Sequence, residues 1–163
     1  MNNQAAQTSE NSAADPAGSK ARLRLWLKLL KAAKHVEGEL RESLRTEFDT
    51  TLPRFDVMAA LYRAEAGLKM SELSSVLRVS NGNVTGIVDR LVEDGAIIRV
   101  PVDNDRRATT VRLTQAGHEQ FAEMASRHEE WVNTMLGDVD IEDIRAMSDQ
   151  LERIASKSDR KGA

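Results

Sequence analysis
The sequence predicts a mainly α chain carrying one small β-hairpin. Three observations predict it: long stretches with apolar residues every three or four positions toward both ends, two short helical patterns joined by a tight turn at the centre, and a single switch to alternation between Ala96 and Leu113. With 163 residues, of which 40 % are apolar and 30 % charged, the chain has the size of one compact domain or of a core domain with flexible ends.

Residues 1–19 are rich in Asn, Gln, Ser, Ala and Gly and poor in large apolar groups, a composition that does not offset ordering entropy and is expected to form a disordered N-terminal tail. After Leu23 the pattern Trp26, Leu29, Ala33, Val36, Leu40, Leu44, Phe48 lays one apolar stripe along a long helix over 20–48. Asp49, Thr50, Thr51 and Pro53 end it, and Phe55, Met58, Ala59, Leu61 and Tyr62 predict a shorter helix ending near Gly67. In MSELSSVLRVSNGNVTGIVDRLVEDGAI two short helices meet around Arg78 and Val79. Leu73, Val76 and Leu77 form the apolar face of the first, with Ser71 as its expected N-cap. Ser80 caps the second, Val84, Ile87, Val88 and Leu91 face inward, and Asn81, Asn83, Thr85, Gly86, Asp89 and Arg90 face away. Gly95 stops that helix. Ile98, Val100 and Val102, then Thr109, Val111 and Leu113, read as two strands around a tip at 103–107. Thr114 is the expected N-cap of a long helix marked by Phe121, Met124, His128, Trp131 and Met135, and Ile141, Ile144, Met147, Leu151 and Ile154 mark the last helix.

Composition excludes several functions. Without cysteine there is no disulfide framework, thiolate metal cluster or nucleophilic thiol. No 18-residue apolar run and no secretory leader pattern is present, so the expected compartment is cytoplasmic and no membrane partner is expected. The stretch His128 to Val132 begins like a zinc-protease motif but has Val132 where the second ligand histidine must stand. The calcium-loop start at Asp103 fails at Ala108 and Thr114. Phosphate-loop and nucleophile-elbow patterns are missing. No catalytic residue, metal ligand or cofactor is therefore expected. The net charge of −3 hides a segregation: residues 20–48 sum to +4 and residues 114–163 to −5. A chain polarised in this way can turn a basic face to a polyanion despite its acidic total.

A short helix, a tight turn and a second helix with polar residues at its outward N-terminal end is the arrangement that enters the DNA major groove. Asn81, Asn83 and Thr85 offer the amides and hydroxyls that base edges can meet, Ser80 stands at the helix start, and Arg90 further along is placed to meet phosphate. Gly82 and Gly86 would let the helix backbone approach the groove walls. The hairpin that follows carries adjacent arginines, Arg106 and Arg107, near its tip, where guanidinium suits the negative potential of the minor groove. Apolar residues on the first and last two helices, both tryptophans included, exceed what a small reading lobe covers, which predicts packing across a twofold axis. Two reading helices would then sit about 34 Å apart, one turn of DNA. The competing reading is a helical protein-interaction module on a winged scaffold.

The segment MSELSSVLRVSNGNVTGIVDRLVEDGAIIR (70–99) and the hairpin DNDRRATTVRLTQAG (103–117) resemble the MarR family of winged helix-turn-helix regulators, and with the flanking helices the likeness covers about residues 20–155. It implies a winged helix-turn-helix lobe at 54–113, long N- and C-terminal dimerisation helices at 20–48 and 114–157, and a homodimer on a pseudo-palindromic operator of double-stranded DNA, often released by a small molecule. By the same likeness Arg107 would enter the minor groove, Asp105 would orient it and Arg106 would lie near the backbone. The family places an effector between dimer helices and reading lobe, which directs attention to Trp26, His35, Arg54, Phe55, Met58 and Tyr62. The run FDTTLPRFDVMAAL (48–61) is similar to regulators of aromatic-acid or hydroxycinnamate breakdown, which implies an aromatic acid or aromatic acyl-CoA effector and a repressor. A DNA binder with no effector is the alternative.

Overall fold
A computed structural model of the chain describes residues 16–102 and 105–159, without side chains at 16, 81, 102, 105–108 and 157–159. The elements are α1 (Pro16–Phe48), α2 (Leu52–Tyr62), β1 (Leu68–Lys69), α3 (Met70–Leu77), α4 (Asn81–Glu93), β2 (Ile97–Val102), β3 (Asp105–Leu113), α5 (Gln115–Leu136) and α6 (Ile141–Asp159). The expected mainly α chain with a hairpin wing is what is observed. The first helix begins at Pro16, inside the stretch read as tail, because proline suits the first helical position, where its missing N–H is not needed. Residues up to Glu37 form one compact unit and those from Gly38 another. In the first unit Leu23, Leu25, Trp26 and Leu27 are all more than half exposed.

The core of the second unit is built on α2, which packs against α3, α4, α5 and β3. Its fully buried side chains include Leu44, Val57, Met58, Leu61, Leu73, Val84, Val88, Leu91, Ile97, Val111 and Met124. Leu40, Leu44 and Phe48 continue the α1 stripe, and the helix ends where Asp49 turns to a φ of 48°. Trp131 is accounted for within the chain. Its ring stands edge-on to Phe48 at 6.2 Å, and its Nε1 donates to Glu47 Oε1 at 3.2 Å. Arg127 donates to the same carboxylate from Nε and Nη2 at 2.9 and 3.1 Å, holding the Glu47 carboxyl below its ordinary pKa. Only Trp26 of the two tryptophans is left largely exposed.

Four corrections concern local structure. The hairpin is two strands of a three-stranded antiparallel sheet, order β1-β3-β2, because Leu68 and Lys69 pair with Val111 and Thr110. Two residues carry too little pattern to announce a strand. In β2 the core position is Ile97, opposite Leu113, while Ile98 is 38 % exposed; the alternation is real but its phase is shifted by one. The N-cap position of α3 is Lys69 rather than Ser71, and the Glu72 carboxylate accepts the Lys69 backbone N–H at 2.7 Å. Val76, expected on the buried face of α3, is 60 % exposed. The apolar residues Ile141, Met147, Leu151 and Ile154 mark one side of α6 and are each about half exposed.

Candidate nucleic-acid interface and adjoining groove
The turn between α3 and α4 is made by the chain's own end-capping. Val79 N–H bonds to Ser74 O and Arg78 N–H to Ser75 O, both at 3.2 Å, with Arg78 left-handed at φ 54°, ψ 38°. That hydrogen-bond pair is a Schellman cap in which arginine stands where glycine is usual. The same cap ends α4, this time with Gly95 at φ 74°, through Ala96 N–H to Leu91 O and Gly95 N–H to Val92 O. Ser80 occupies the N-cap position of α4 in extended conformation, with its side chain making no capping bond. Burial divides α4 as its sequence demands: Val84, Val88 and Leu91 are enclosed, whereas Asn83, Thr85, Gly86 and Arg90 are exposed. A Cβ on Gly82 or Gly86 would meet nothing within 4 Å, so neither glycine is demanded by packing inside this chain. Asp89, read as outward-facing, is partly buried and bonds to Arg99 Nη2 on β2 at 2.5 Å, which braces α4 against the strand that begins the wing.

The return from the wing is fixed by Thr114. Its hydroxyl donates to Gly95 O at 2.8 Å and accepts the Gly117 N–H at 2.9 Å, while its own N–H bonds to Ala96 O at 3.0 Å. Gly117 packs directly on Ala96, so that a Cβ there would lie 2.0 Å from the Ala96 carbonyl oxygen. This explains the Leu-Thr-x-x-Gly pattern after the wing: threonine ties the two strand ends together, and glycine lets α5 start against them. Asp105, Arg106 and Arg107 begin β3, but their side chains, like that of Asn81, lie outside the described residues.

Behind the exposed face of α4 lies a groove of about 750 Å³. Arg41, Thr51, Pro53, Arg54 and Asp56 form one wall, Leu77 and Val79 the end, and Asn83, Gly86, Ile87 and Arg90 the other wall. Arg54 also lines an adjoining polar cavity of about 490 Å³ with Asp89, Glu93 and Asp94, and its Nη2 donates to the Asp94 carboxylate. The six residues read as effector contacts are divided between the two units. Trp26 and His35 are exposed in the first unit. Phe55 and Met58 are core residues, 8 % and 1 % exposed, with their apolar surface packed inside the chain. Tyr62 packs on Phe121 and His118, with ring centroids at 4.8 and 5.4 Å. Arg54 alone of the six lines the groove. Arg41, Gly86, Ile87 and Arg90 join it there; of these, a glycine amid a helix was the one signal in the sequence that something close by needed room.

A helix pair presenting a polar helix face, followed by a braced hairpin, defines a winged helix-turn-helix protein. The MarR-family sequence profile matches residues 50–109. A crystal structure of a MarR family transcriptional regulator from Silicibacter pomeroyi superposes with TM-score 0.73 at 33 % identity, covering 86 % of this chain and 96 % of that one. The transcriptional activatory protein BadR of Rhodopseudomonas palustris is 29 % identical over 124 residues, 74 % of this chain and 70 % of its own length. The multiple antibiotic resistance protein MarR of Escherichia coli is 34 % identical over 87 residues, which span 51 % of this chain and 60 % of that protein. A variant of the E. coli protein solved in complex with operator DNA matches with TM-score 0.70 at 25 % identity, over 82 % of this chain and 95 % of that one. The chain belongs to the MarR family of winged-helix transcriptional regulators. Among the described residues no helix is long and apolar enough to cross a membrane.

Proposed function
We propose that the protein is a homodimeric regulator in the cytoplasm that represses from a pseudo-palindromic operator and is released by a small aromatic acid or aromatic acyl-CoA thioester. The observation that carries this reading is the double service of α4: Asn83 and Arg90 belong both to its exposed face and to the wall of the groove behind it. On the DNA side, Ser80, Asn81, Asn83 and Thr85 read base edges, Arg90 meets phosphate, and Arg107, with Asp105 and Arg106, reaches the minor groove. On the groove side, Pro53, Leu77, Val79 and Ile87 suit an aromatic ring and the guanidiniums of Arg54 and Arg90 a carboxylate. A ligand seated there alters DNA affinity only so far as it binds one placement of α4 better than another. The exposed apolar residues of α1 (Leu23, Leu25, Trp26, Leu27) and of α6 (Ile141, Met147, Leu151, Ile154) support dimerisation through 20–48 and 114–157, with 54–113 as the DNA-binding lobe. Activation is the second reading, favoured by the relative named a transcriptional activatory protein.

Fluorescence anisotropy of the purified protein on duplex from its own upstream region, against a scrambled duplex over a salt series, tests the reading. Specific binding that weakens steeply with salt supports it, since phosphate contacts release counterions. Arg107→Ala is expected to cost about 1–3 kcal/mol and flatten the salt slope, and Asn83→Ala to relax sequence preference. Binding that is salt-insensitive and indifferent to duplex sequence would favour a protein-interaction module. Specific binding untouched by aromatic acids and acyl-CoA esters would leave a DNA binder without that effector class.

A further inference from the structure
We propose that Arg54 and Asp94 form a latch between α2 and α4 that an anionic ligand in the groove opens, with Asp94 as a positioning residue for the effector response. The proposal rests on the reading of the groove as an effector seat. Arg54, in the first turn of α2, stands between the two cavities, one walled by Leu77, Val79 and Ile87 and the other by Asp89, Glu93 and Asp94. Its Nη2 donates to Asp94, the C-cap residue of α4. Its Nε is buried and has no hydrogen-bond partner. A buried N–H without an acceptor is unfavourable, so the latched state leaves the guanidinium half-used.

Nε and Nη2 share the edge of the guanidinium that a carboxylate takes in two parallel bonds. A ligand carboxylate on that edge supplies the acceptor Nε lacks and competes with Asp94 for Nη2. Asp94, once released, is an unpaired carboxylate at the negative end of the α4 dipole, and α4 loses its tie to the start of α2. Ligand occupancy and the latch therefore oppose each other. Linkage requires that removing the latch strengthen ligand binding by the factor that ligand weakens the latch. Gly86 matters for the test because it lines both cavities and bears no side chain.

The experiment is calorimetric titration of benzoate, with neutral benzamide as control, into the full chain and into Asp94→Asn and Gly86→Leu, each first shown by thermal melt to be folded. Expected are benzoate binding with none for benzamide, a gain of about fivefold or more in Asp94→Asn, and loss of binding in Gly86→Leu. Operator binding by Asp94→Asn should also respond less to saturating benzoate than that of the wild type. Equal benzoate affinity in wild type and Asp94→Asn, with Gly86→Leu still blocking, would overturn the latch and leave the groove standing. No benzoate binding by the wild type at millimolar concentration, or unchanged binding in Gly86→Leu, would overturn the groove reading and the latch with it.

Discussion

Replacing Gly117 by alanine tests the account of how the wing joins α5. Helix propensity alone favours the change, since alanine is better than glycine inside a helix by about 1 kcal/mol. The structure predicts the opposite sign. The new Cβ would lie 2.0 Å from Ala96 O, 2.9 Å from Ala96 C and 3.2 Å from its Cα. Relieving the first contact to an ordinary separation takes a shift of about 1.5 Å. The atom that must move is backbone, and it already accepts the Thr114 N–H at 3.0 Å. Overpacking of this kind costs about 1–3 kcal/mol, and disturbing the Thr114 cap costs about 1 kcal/mol more. Against the propensity gain the net is a loss of about 2 kcal/mol. For a chain of this size that lowers Tm by about 4–8 °C. Thermal melts at one fixed protein concentration, which holds any contribution of self-association constant, should show that drop. Gly86→Ala is the control, because its Cβ meets open space, and its Tm should rise. If Gly117→Ala melts at or above the wild-type temperature, the close approach of α5 to Ala96 is wrong.

Arg78 holds a left-handed conformation that costs an L-residue about 1–2 kcal/mol; less the roughly 0.5–1 kcal/mol entropic cost of glycine, Arg78→Gly should raise Tm by about 2–4 °C, and an unchanged or lower Tm would show that the arginine side chain offsets the strain. His128 stacks on Phe55 with ring centroids 4.7 Å apart and planes 14° from parallel. Burial pushes its pKa below the ordinary value, with the Asp56 charge pulling the other way. The unfolded chain thus takes up the proton first, so the stability present above about pH 6.5 falls as pH drops through that value toward the lower folded one. His128→Phe keeps a ring against Phe55 without the proton, and should flatten the Tm profile between about pH 7.5 and 5.5; a profile matching wild type would assign the slope to other groups.

The sequence was readable wherever one element alone set the pattern. Val84, Val88 and Leu91 announce the buried face of α4, and Thr114 announces the start of α5, because spacing of 3.6 and capping chemistry are local. Strand phase was not local: Ile97 and Ile98 are equally apolar, and only pairing with Leu113 decides which is enclosed. Val76 was misplaced for the same reason, since an eight-residue helix gives too few turns to fix which side its neighbours cover. The groove was least legible of all. Phe55 and Met58 looked like ligand contacts by residue type, yet both are enclosed in the core. What Arg54 meets instead is Asp94, forty residues on, a pairing no spacing rule encodes.

The sharing of residues between groove and exposed face constrains any effector response. Asn83 and Arg90 wall the groove and also stand on the face proposed to read DNA. A ligand contacting Arg90 withdraws a cation from the phosphate backbone, which lowers affinity for every sequence alike. One acting through Arg54 and Asp94 instead shifts α4 as a body, and so degrades base reading most. The two routes separate in a single measurement, the ratio of specific to scrambled-duplex affinity with and without ligand. A constant ratio assigns the response to Arg90, and a ratio that falls assigns it to the latch. Reciprocity then sets the size, because bound operator must weaken the ligand by the same factor as the ligand weakens the operator.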